Sequence, residues 1–341
     1  MTSVKEFRIE EPATAEELGH GVFEFTDDYS VFDWGKMPDP IPDKGASLCT
    51  MGAFNFELLA AEDIRTHYRG VIPADGGKPV GLESVEEPPT EMAIALSQRP
   101  DLPREGTDYD YDVYHEAAGE NYVVPLEIVF RNSVPIGSSL RSRTDPADHG
   151  LDFEHWPDEP VDLDDPIVEF STKYEESDRY LDRGEADAIA GKAPIEDLDG
   201  VAREVNDLIT RWAANQGFTH EDGKIEVVYH QGNLLVADVL GTFDENRFAY
   251  DGQQLSKEVL RQYHKRTQPE WVEAVDAAKA EAKAQDVADW KGLCEAEPEP
   301  LDEEVLQIAR DMYAAGTNAY VGAQFFDAPS IDEAVEAIRD L

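Results

Sequence analysis

A short acidic stretch of the chain has the residue types that hold metal ions and phosphate. Asp222, Lys224 and Glu226 are each two residues apart, so in a β-strand their side chains lie on one face. A second strand-like run ends at Asp238. If residues 230–232 form a three-residue turn between the two runs, Lys224 lies opposite Asp238. Asp222 and Glu226 are then the diagonal neighbours of Asp238.

Such a face suits magnesium and a triphosphate. Carboxylate oxygens are the hard ligands that Mg²⁺ takes in proteins, and a lysine places a point charge beside phosphate oxygens. The same spacing also fits a solvated hairpin face on which Lys224 and Asp238 form an ordinary cross-strand ion pair. Spacing alone leaves both interpretations open.

Two arginines stand at positions suited to a second phosphate. Arg131 ends a strand-like run and precedes Gly137 and Ser138, which can offer free backbone N–H groups and a hydroxyl. Arg247 follows the second strand of the hairpin and precedes a helix start. Each arginine is weak evidence alone, because a charged loop beside a helix has the same composition.

Basic residues are scarce in this chain, which makes those within apolar segments informative. The sequence has 29 Lys and Arg residues against 74 Asp and Glu residues. Lys44 lies in a turn with Pro and Gly, and Lys173 follows a short strand-like run. Both are candidate site residues, although a surface ion pair with a nearby acid is the alternative for each.

The formal net charge of −45 excludes some partners and suggests an environment. Nucleic acid is not an expected partner, because binding its phosphates requires a basic surface. The 14 Phe, 13 Tyr and 5 Trp residues supply more core than a disordered acidic chain carries. We interpret the charge as the adaptation of a folded, halophilic protein to molar salt, where a Debye length of about 3 Å screens self-repulsion.

The sequence also predicts a protein of the cytoplasm. No stretch approaches the roughly 18 apolar residues of a membrane-spanning helix, so no membrane partner is expected. The acidic N-terminal segment lacks the basic and apolar run of an export signal. Whether copies of the chain assemble into a homo-oligomer is left open.

A mixed set of strands and helices must position these residues. Apolar periodicity predicts strands at 122–130, 167–170, 224–229 and 233–240, and helices at 201–212, 256–267, 269–291 and from after 302 to about 315, where Gly316 stops the helix. Ser330 and Glu333 predict a capping box for the last helix. The sum is an α+β protein, which we divide into a small β-rich lobe at 1–120, a larger α+β lobe at 121–265 and a helical segment at 266–341.

Five sequence segments, taken in order, carry a family resemblance. They are DDYSVFD at 27–33 with IPDKG at 41–45, VPLEIVFR at 124–131 with GS at 137–138, PIVEFSTK at 166–173 with Asp178, DGKIE at 222–226 with Asp238, and DENR at 244–247 with SK at 256–257. Over roughly residues 20–262 the chain resembles the SAICAR synthetase family, the phosphoribosylaminoimidazole-succinocarboxamide synthases. Val239 and Phe243 stand where the family has an acid and a proline.

The resemblance implies a fold related to ATP-grasp, with ATP between the two lobes and Mg²⁺ as cofactor. It implies a ligase of purine biosynthesis that joins carboxyaminoimidazole ribonucleotide to L-aspartate. ATP phosphorylates the carboxylate, and the aspartate amine then attacks the acyl phosphate. The products are the succinocarboxamide, ADP and phosphate.

The resemblance also assigns roles to individual residues. Lys224 and Asp222 are implied as catalytic residues, and Glu226 and Asp238 as magnesium ligands. The residues implied in ATP binding are Lys5, Glu127 and Lys224. Those implied around the other substrates are Ser30, Asp33, Lys44, Arg131, Ser138, Lys173, Asp178 and Arg247, of which Arg131, Ser138 and Arg247 would hold the ribonucleotide phosphate.

Two other classes of protein remain open at this point. The chain could be another ATP-dependent ligase or kinase of related fold, because a metal and phosphate site does not identify the acceptor. It could also be a non-catalytic acidic binding protein that kept the fold, which the residues at 239 and 243 permit.

Overall fold

Two β-sheets form the framework of the computed structural model, which describes residues 5–106, 108–175, 178–285, 287 and 289–341. The strands are β1 Lys5–Glu11, β2 Gly19–Phe25, β3 Tyr68–Ile72, β4 Glu91–Leu96, β5 Arg104–Glu105, β6 Asp108–Tyr109, β7 Asn121–Val123, β8 Leu126–Val134, β9 Val161–Thr172, β10 Tyr180–Leu181, β11 Phe218–His230, β12 Asn233–Ala237, β13 Asn246–Tyr250 and β14 Gln253–Leu255. The helices are α1 Lys44–Ala61, α2 Tyr111–Ala118, α3 Leu140–Arg143, α4 Arg183–Ala190, α5 Ile195–Asn215, α6 Glu258–Thr267, α7 Pro269–Gln285, α8 Glu303–Val321 and α9 Ile331–Arg339.

The smaller sheet is antiparallel and has the order β1-β2-β4-β3. Helix α1 packs against it and begins at Lys44, inside the segment 41–45 that the sequence predicts as a turn, so Lys44 is the first residue of a helix. The side chain of Asp27 accepts a hydrogen bond from the backbone N–H of Gly45 at 2.9 Å, which satisfies a donor in the first turn of the helix. This contact fixes the start of α1 against the end of β2.

The larger sheet is organised around β11, a strand of 13 residues that changes partners along its length. Its first half pairs with β8 and β13, and its second half pairs with β7 and β12. Strands β9 and β10 extend the sheet beyond β8, and β14 extends it beyond β13. One strand therefore carries side chains into two neighbourhoods of the protein.

The hairpin between β11 and β12 differs from the predicted register. His230 pairs with Asn233, so the turn has two residues, and both Gln231 (φ 49°) and Gly232 (φ 80°) take left-handed conformations. Two such residues are typical of a type I′ turn, which matches the twist of the strands. The prediction that Lys224 lies opposite Asp238 is therefore wrong by one residue.

Asp238 still lies near Glu226, because the chain turns at the end of β12. Strand β12 ends at Ala237, which lies opposite Glu226, and is thus shorter than the predicted run to 240. Asp238 itself has a left-handed φ of 64°, a conformation that Asp adopts more readily than most residues. The chain turns there, and its carboxylate comes beside Glu226.

Helix α5 covers the side of the larger sheet that faces away from the charged side chains described below. Its residues Val205, Leu208 and Ile209 are buried, and they follow the helical spacing on which the prediction of this helix rested. One continuous hydrophobic core includes residues of both sheets, among them Phe23 and Phe130. The division of the chain at 120 and 265 stays a prediction.

Helix α8 is longer than the sequence predicts. It continues through Gly316 to Val321 and ends at Gly322, which has a left-handed φ of 75°. Gly316 does not stop the helix; a Cβ atom at this position would lie 2.8 Å from the ring of Phe243, so the glycine permits a close approach. The capping box predicted at Ser330 is confirmed, since Ser330 Oγ accepts from the N–H of Glu333.

Among the described residues, no helix combines the length and the apolar character that crossing a bilayer requires.

Candidate functional site

A row of charged side chains lies on one face of β11, as the period of two predicts. Asp222, Lys224 and Glu226 each form ion pairs with residues of neighbouring elements. We call these three side chains, with their ion-pair partners, the charged face. Because a strand rises roughly 3.3 Å per residue, Asp222 and Glu226, the two ends of the charged face, lie about 13 Å apart.

At one end of the charged face, Glu226 and Asp238 form a carboxylate pair with two lysines. Lys173 forms an ion pair with Glu226, and Lys5 reaches from the first residue of β1 to Asp238. The ammonium group of Lys5 also lies 4.3 Å from the centroid of the Phe23 ring. The smaller sheet therefore contributes a cation to a site carried by the larger one.

The two carboxylates of this pair differ in acidity. Burial and the nearby charge of Asp238 raise the pKa of Glu226 to about 7. Burial acts to raise the pKa of Asp238 as well, but the ammonium groups of Lys5 and Lys173 outweigh it and hold that pKa well below its usual value. In the structure the two ammonium groups balance the negative charges of the pair, and a bound metal ion would take over that role at the carboxylate oxygens.

The donor set fits magnesium bound together with a nucleotide. Mg²⁺ usually takes one or two carboxylates, and phosphate oxygens and water complete its shell. Glu226 and Asp238 supply that number. Across the described parts of the chain there is no cluster of three or more His, Cys, Asp or Glu side chains that would form an all-protein metal cage.

Lys224 lies at the middle of the charged face between two acids. Its ammonium group is 2.7 Å from Glu127 Oε1 on β8 and 3.5 Å from Glu245 Oε2. Burial alone would lower the pKa of Lys224, but the charges of Glu245 and Glu127 raise it above its usual value. The lysine is therefore a permanent positive charge between the two ends of the face.

The other end of the charged face holds the arginine pair, Arg131 and Arg247. Asp222 accepts from Arg247 Nε at 2.8 Å and from Arg131 Nη1 at 3.5 Å, and Arg247 Nη2 binds its second oxygen. Arg131 Nε also donates to Glu169 Oε2 at 2.7 Å. Two guanidinium groups converging at one place can bind phosphate oxygens through several N–H groups.

Two residues at this end were missed from the sequence. The guanidinium carbon of Arg143 lies 3.4 Å from the centroid of the Tyr180 ring, and Arg143 also binds Glu169 at 2.9 Å. The Tyr180 hydroxyl accepts from Arg131 Nη2 at 3.3 Å. The available signal was the position of Arg143 shortly after the Gly-Ser turn, in a chain where basic residues are scarce.

Several predicted substrate residues lie apart from these ion pairs. Ser138 accepts from the N–H of Leu140 at 3.4 Å within its own loop, and the structure has no hydrogen bond between this described serine and either arginine of the pair. Asp33 is exposed and forms an ion pair of 2.6 Å with Lys279. Ser30 is half-buried in the loop after β2. Their roles stay predictions.

Asp178 is exposed in the segment between β9 and β10. Partial desolvation and the charge of Glu127 raise its pKa, whereas the charge of Lys224 acts in the opposite direction. Its place around the substrates stays a prediction.

Lys44 occupies a different environment from the other candidate lysines. Its side chain is completely buried, and its ammonium group lies 2.8 Å from Asp244 Oδ2. The hydroxyl group of Tyr313 donates to Asp244 Oδ1 at 2.7 Å. Its predicted place among the substrate-binding residues is untested, and in the structure its charge supports the loop that precedes Arg247.

Solved structures of known proteins share this fold. The SAICAR synthase of Saccharomyces cerevisiae, solved in complex with SAICAR, has a TM-score of 0.62 at 18% identity and covers 95% of this chain and 94% of that one. A SAICAR synthetase solved in complex with ADP has a TM-score of 0.52 at 22% identity and covers 76% of this chain and 88% of that one. At these identities the similarity establishes the fold alone.

Sequence comparison establishes the family. A relative from Archaeoglobus fulgidus, provisionally assigned as a phosphoribosylaminoimidazole-succinocarboxamide synthase, is 40% identical over 350 residues, which cover 100% of this chain and 99% of that protein. The phosphoribosylaminoimidazole-succinocarboxamide synthase of Thermoplasma volcanium is 32% identical over 72% of this chain and 77% of its own. The sequence model described as SAICAR synthetase matches residues 13–278. This chain belongs to the SAICAR synthetase family.

Proposed function

We propose a division of roles along the charged face for the reaction of this family. Family membership gives the chain phosphoribosylaminoimidazole-succinocarboxamide synthase activity, a ligase activity of purine biosynthesis, and binding of ATP or ADP. In our proposal the carboxylate-pair end of the face binds the ATP phosphates, and the arginine-pair end binds the ribonucleotide phosphate.

The observation that supports this proposal is the separation of two clusters of basic side chains along one strand. Lys5, Lys173 and the carboxylate pair occupy one end of the face, and the arginine pair occupies the other, about 13 Å away. That separation leaves room for a ribose and an imidazole ring between the two phosphates. The reacting carboxylate of the ribonucleotide would then lie towards the ATP end.

Glu226 and Asp238 would hold Mg²⁺ at the ATP end. When bound, the ion would neutralise charge on the triphosphate oxygens. Lys173 and Lys5, which are paired with these carboxylates in the structure, are near enough to contact the same phosphates. The fixed charge of Lys224 would stabilise negative charge that develops during phosphoryl transfer.

The reaction then proceeds in two steps. A carboxylate oxygen of the ribonucleotide attacks the terminal phosphorus of ATP, which forms an acyl phosphate and releases ADP. The amine of L-aspartate attacks the acyl carbon, phosphate leaves, and the nitrogen loses a proton to give the amide. The chain's contribution to both steps is positioning and electrostatic stabilisation.

Further residues complete the proposal. Asp222 would orient the two arginines, and Glu127 would orient Lys224 beside the nucleotide. Ser138 would add a hydroxyl to the ribonucleotide phosphate, and Ser30, Asp33, Lys44 and Asp178 would act around the substrates. We place the reaction in the cytoplasm, because its ATP is supplied there.

The test is a complete reaction with the purified chain in molar KCl. ATP, Mg²⁺, L-aspartate and carboxyaminoimidazole ribonucleotide should give equal amounts of ADP and the succinocarboxamide. Omission of aspartate or chelation of magnesium should stop steady turnover. Continuous ADP release without aspartate would favour a kinase or another ligase, and no reaction with any mixture would favour a non-catalytic binding protein.

A further inference from the structure

Helix α8 lies beyond the residues that the family model matches, yet it contacts the loop that carries site residues. That loop, residues 240–245, which we call the α8-facing loop, lies between β12 and β13, and Arg247 is the second residue of β13. Glu245 contacts Lys224 and Arg247 binds Asp222, so the end of the loop and the start of β13 belong to the charged face.

The first contact is a buried hydrogen bond to a carboxylate. The hydroxyl of Tyr313 on α8 donates to Asp244 Oδ1 at 2.7 Å, and Lys44 Nζ binds Oδ2 of the same group at 2.8 Å. Tyr313 and Lys44 are completely buried, and Asp244 is 8% exposed. The ammonium group balances the charge of Asp244, and the hydroxyl fixes the second oxygen and thus the rotation of the carboxylate.

Two more positions of α8 are connected to the same loop, one directly and one through Asn55 on α1. Gly316 lets the ring of Phe243 approach the helix backbone. The hydroxyl of Tyr320 donates to Asn55 Oδ1 at 2.8 Å, and the Asn55 amide group donates to the carbonyl of Gly241 at 3.0 Å. Positions 313, 316 and 320 lie on one face of a helix, so α8 supports the loop along its length.

We propose that Tyr313 is a positioning residue for the ribonucleotide-phosphate site. Through Asp244 it holds the α8-facing loop so that Arg247, three residues further on, keeps the orientation in which its guanidinium group meets phosphate. The proposal rests on the proposed function, because it takes Arg247 as a phosphate-binding residue. It gives the C-terminal part of this chain a task in substrate binding.

The test compares Tyr313→Phe with Tyr122→Phe. Both changes remove one buried hydroxyl and leave the ring; the hydroxyl of Tyr122 binds the Ala190 carbonyl at 2.9 Å and the Lys192 N–H at 2.8 Å, away from the α8-facing loop. Tyr313→Phe should raise the KM for the ribonucleotide about 3- to 10-fold. Its kcat and its KM for ATP should stay within about twofold of the unchanged protein, as should all three constants of Tyr122→Phe.

Two outcomes would overturn the proposal. One is an unchanged ribonucleotide KM in folded Tyr313→Phe protein, and the other is an equal rise in the KM values for ribonucleotide and ATP. Hydrogen exchange gives a second readout: backbone amides of residues 242–247 should exchange faster in Tyr313→Phe and not in Tyr122→Phe, and equal exchange in both would also contradict the role.

Calorimetry separates this inference from the proposed function. If the unchanged protein does not bind carboxyaminoimidazole ribonucleotide at all, the proposed function fails. If it binds the ribonucleotide and Tyr313→Phe binds it equally well, the proposed function survives and only the role of Tyr313 is rejected.

Discussion

Asp222 accepts hydrogen bonds from two arginines that differ in how well solvent could replace them. Arg131 is 5% exposed and binds both Asp222 and Glu169, so its removal would take a buried cation away from two carboxylates and would destabilise the fold. The side chain of Arg247 is 30% exposed, so water can reach the space that it leaves. Arg247 is therefore the better probe of phosphate binding.

We expect Arg247→Ala to weaken ribonucleotide binding selectively. Loss of a charge-assisted contact should raise the ribonucleotide KM about 10- to 150-fold, whereas the KM for ATP should barely move. Steady-state kinetics in molar KCl measure both constants. Arg211→Ala, which removes an exposed arginine paired with Asp207 on α5, is the matched control and should change neither. A rise confined to the KM for ATP would mean that the two ends of the charged face are exchanged.

Asp238→Asn should act on catalysis at the opposite end. The amide keeps nearly the same shape but lacks the charge that a metal ligand supplies, so kcat should fall at least about tenfold and more magnesium should be needed for half-maximal rate. The ribonucleotide KM should stay nearly constant. Magnesium titrations of initial rate measure the effect.

Asp251→Asn is the control for this change. Asp251 has a left-handed φ of 48°, like Asp238, and its carboxylate also forms an ion pair, with Arg339 on the surface. A similar loss of rate in both variants would point to backbone strain or charge in general, and would count against a metal ligand at Asp238.

At the residue scale, the sequence could predict what depends on strand periodicity alone. Residues two apart share a face whatever surrounds the strand, so Asp222, Lys224 and Glu226 were placed together correctly. The stacking of Arg143 on Tyr180 depends on how distant segments fold back on β8 and β9. No local pattern in the sequence encodes that contact.

At the scale of elements, the β11–β12 hairpin shows how one turn residue decides a register. The amino-acid sequence of this hairpin is compatible with a three-residue turn and with a two-residue turn, and the difference moves every cross-strand pair by one position. Gln231 is an unusual residue for a left-handed position, so the sequence did not indicate a type I′ turn. The existence of both strands was predictable, and their alignment was not.

Helix α8 offers a test of close packing between elements. Gly316→Ala would place a methyl group against the Phe243 ring, and we expect a loss of roughly 1–2 kcal/mol in unfolding free energy, because the clash exceeds the gain in helix propensity. Gly200→Ala on α5, where a Cβ atom meets nothing within 4 Å, should stabilise the protein by about 0.4–1 kcal/mol. Urea unfolding in constant salt measures both. Stabilisation by both changes would show that α8 and the Phe243 loop are not tightly packed.

At the scale of the whole molecule, the net charge of −45 should make stability depend on salt. Repulsion among unscreened acids loosens the fold in dilute buffer, and screening approaches completion near 1 M, where the Debye length is about 3 Å. The thermal midpoint should therefore rise steeply between about 0.1 M and 1 M KCl. Sucrose, which stabilises by exclusion but does not screen charge, is the control. Equal midpoints in dilute buffer and molar KCl would remove salt adaptation as the explanation of the composition.

Strand β11 sets the spacing between the two ends of the charged face. The arginines bind Asp222, and the carboxylate pair includes Glu226. Both residues lie on one continuous strand, so the rise of that strand fixes the distance between the two ends of the face. Lys5 comes from the smaller sheet and does not contribute to that spacing. Under the proposed roles, a nucleoside that lacks its phosphate would reach only one end of the charged face, so we expect it to bind more weakly than the ribonucleotide.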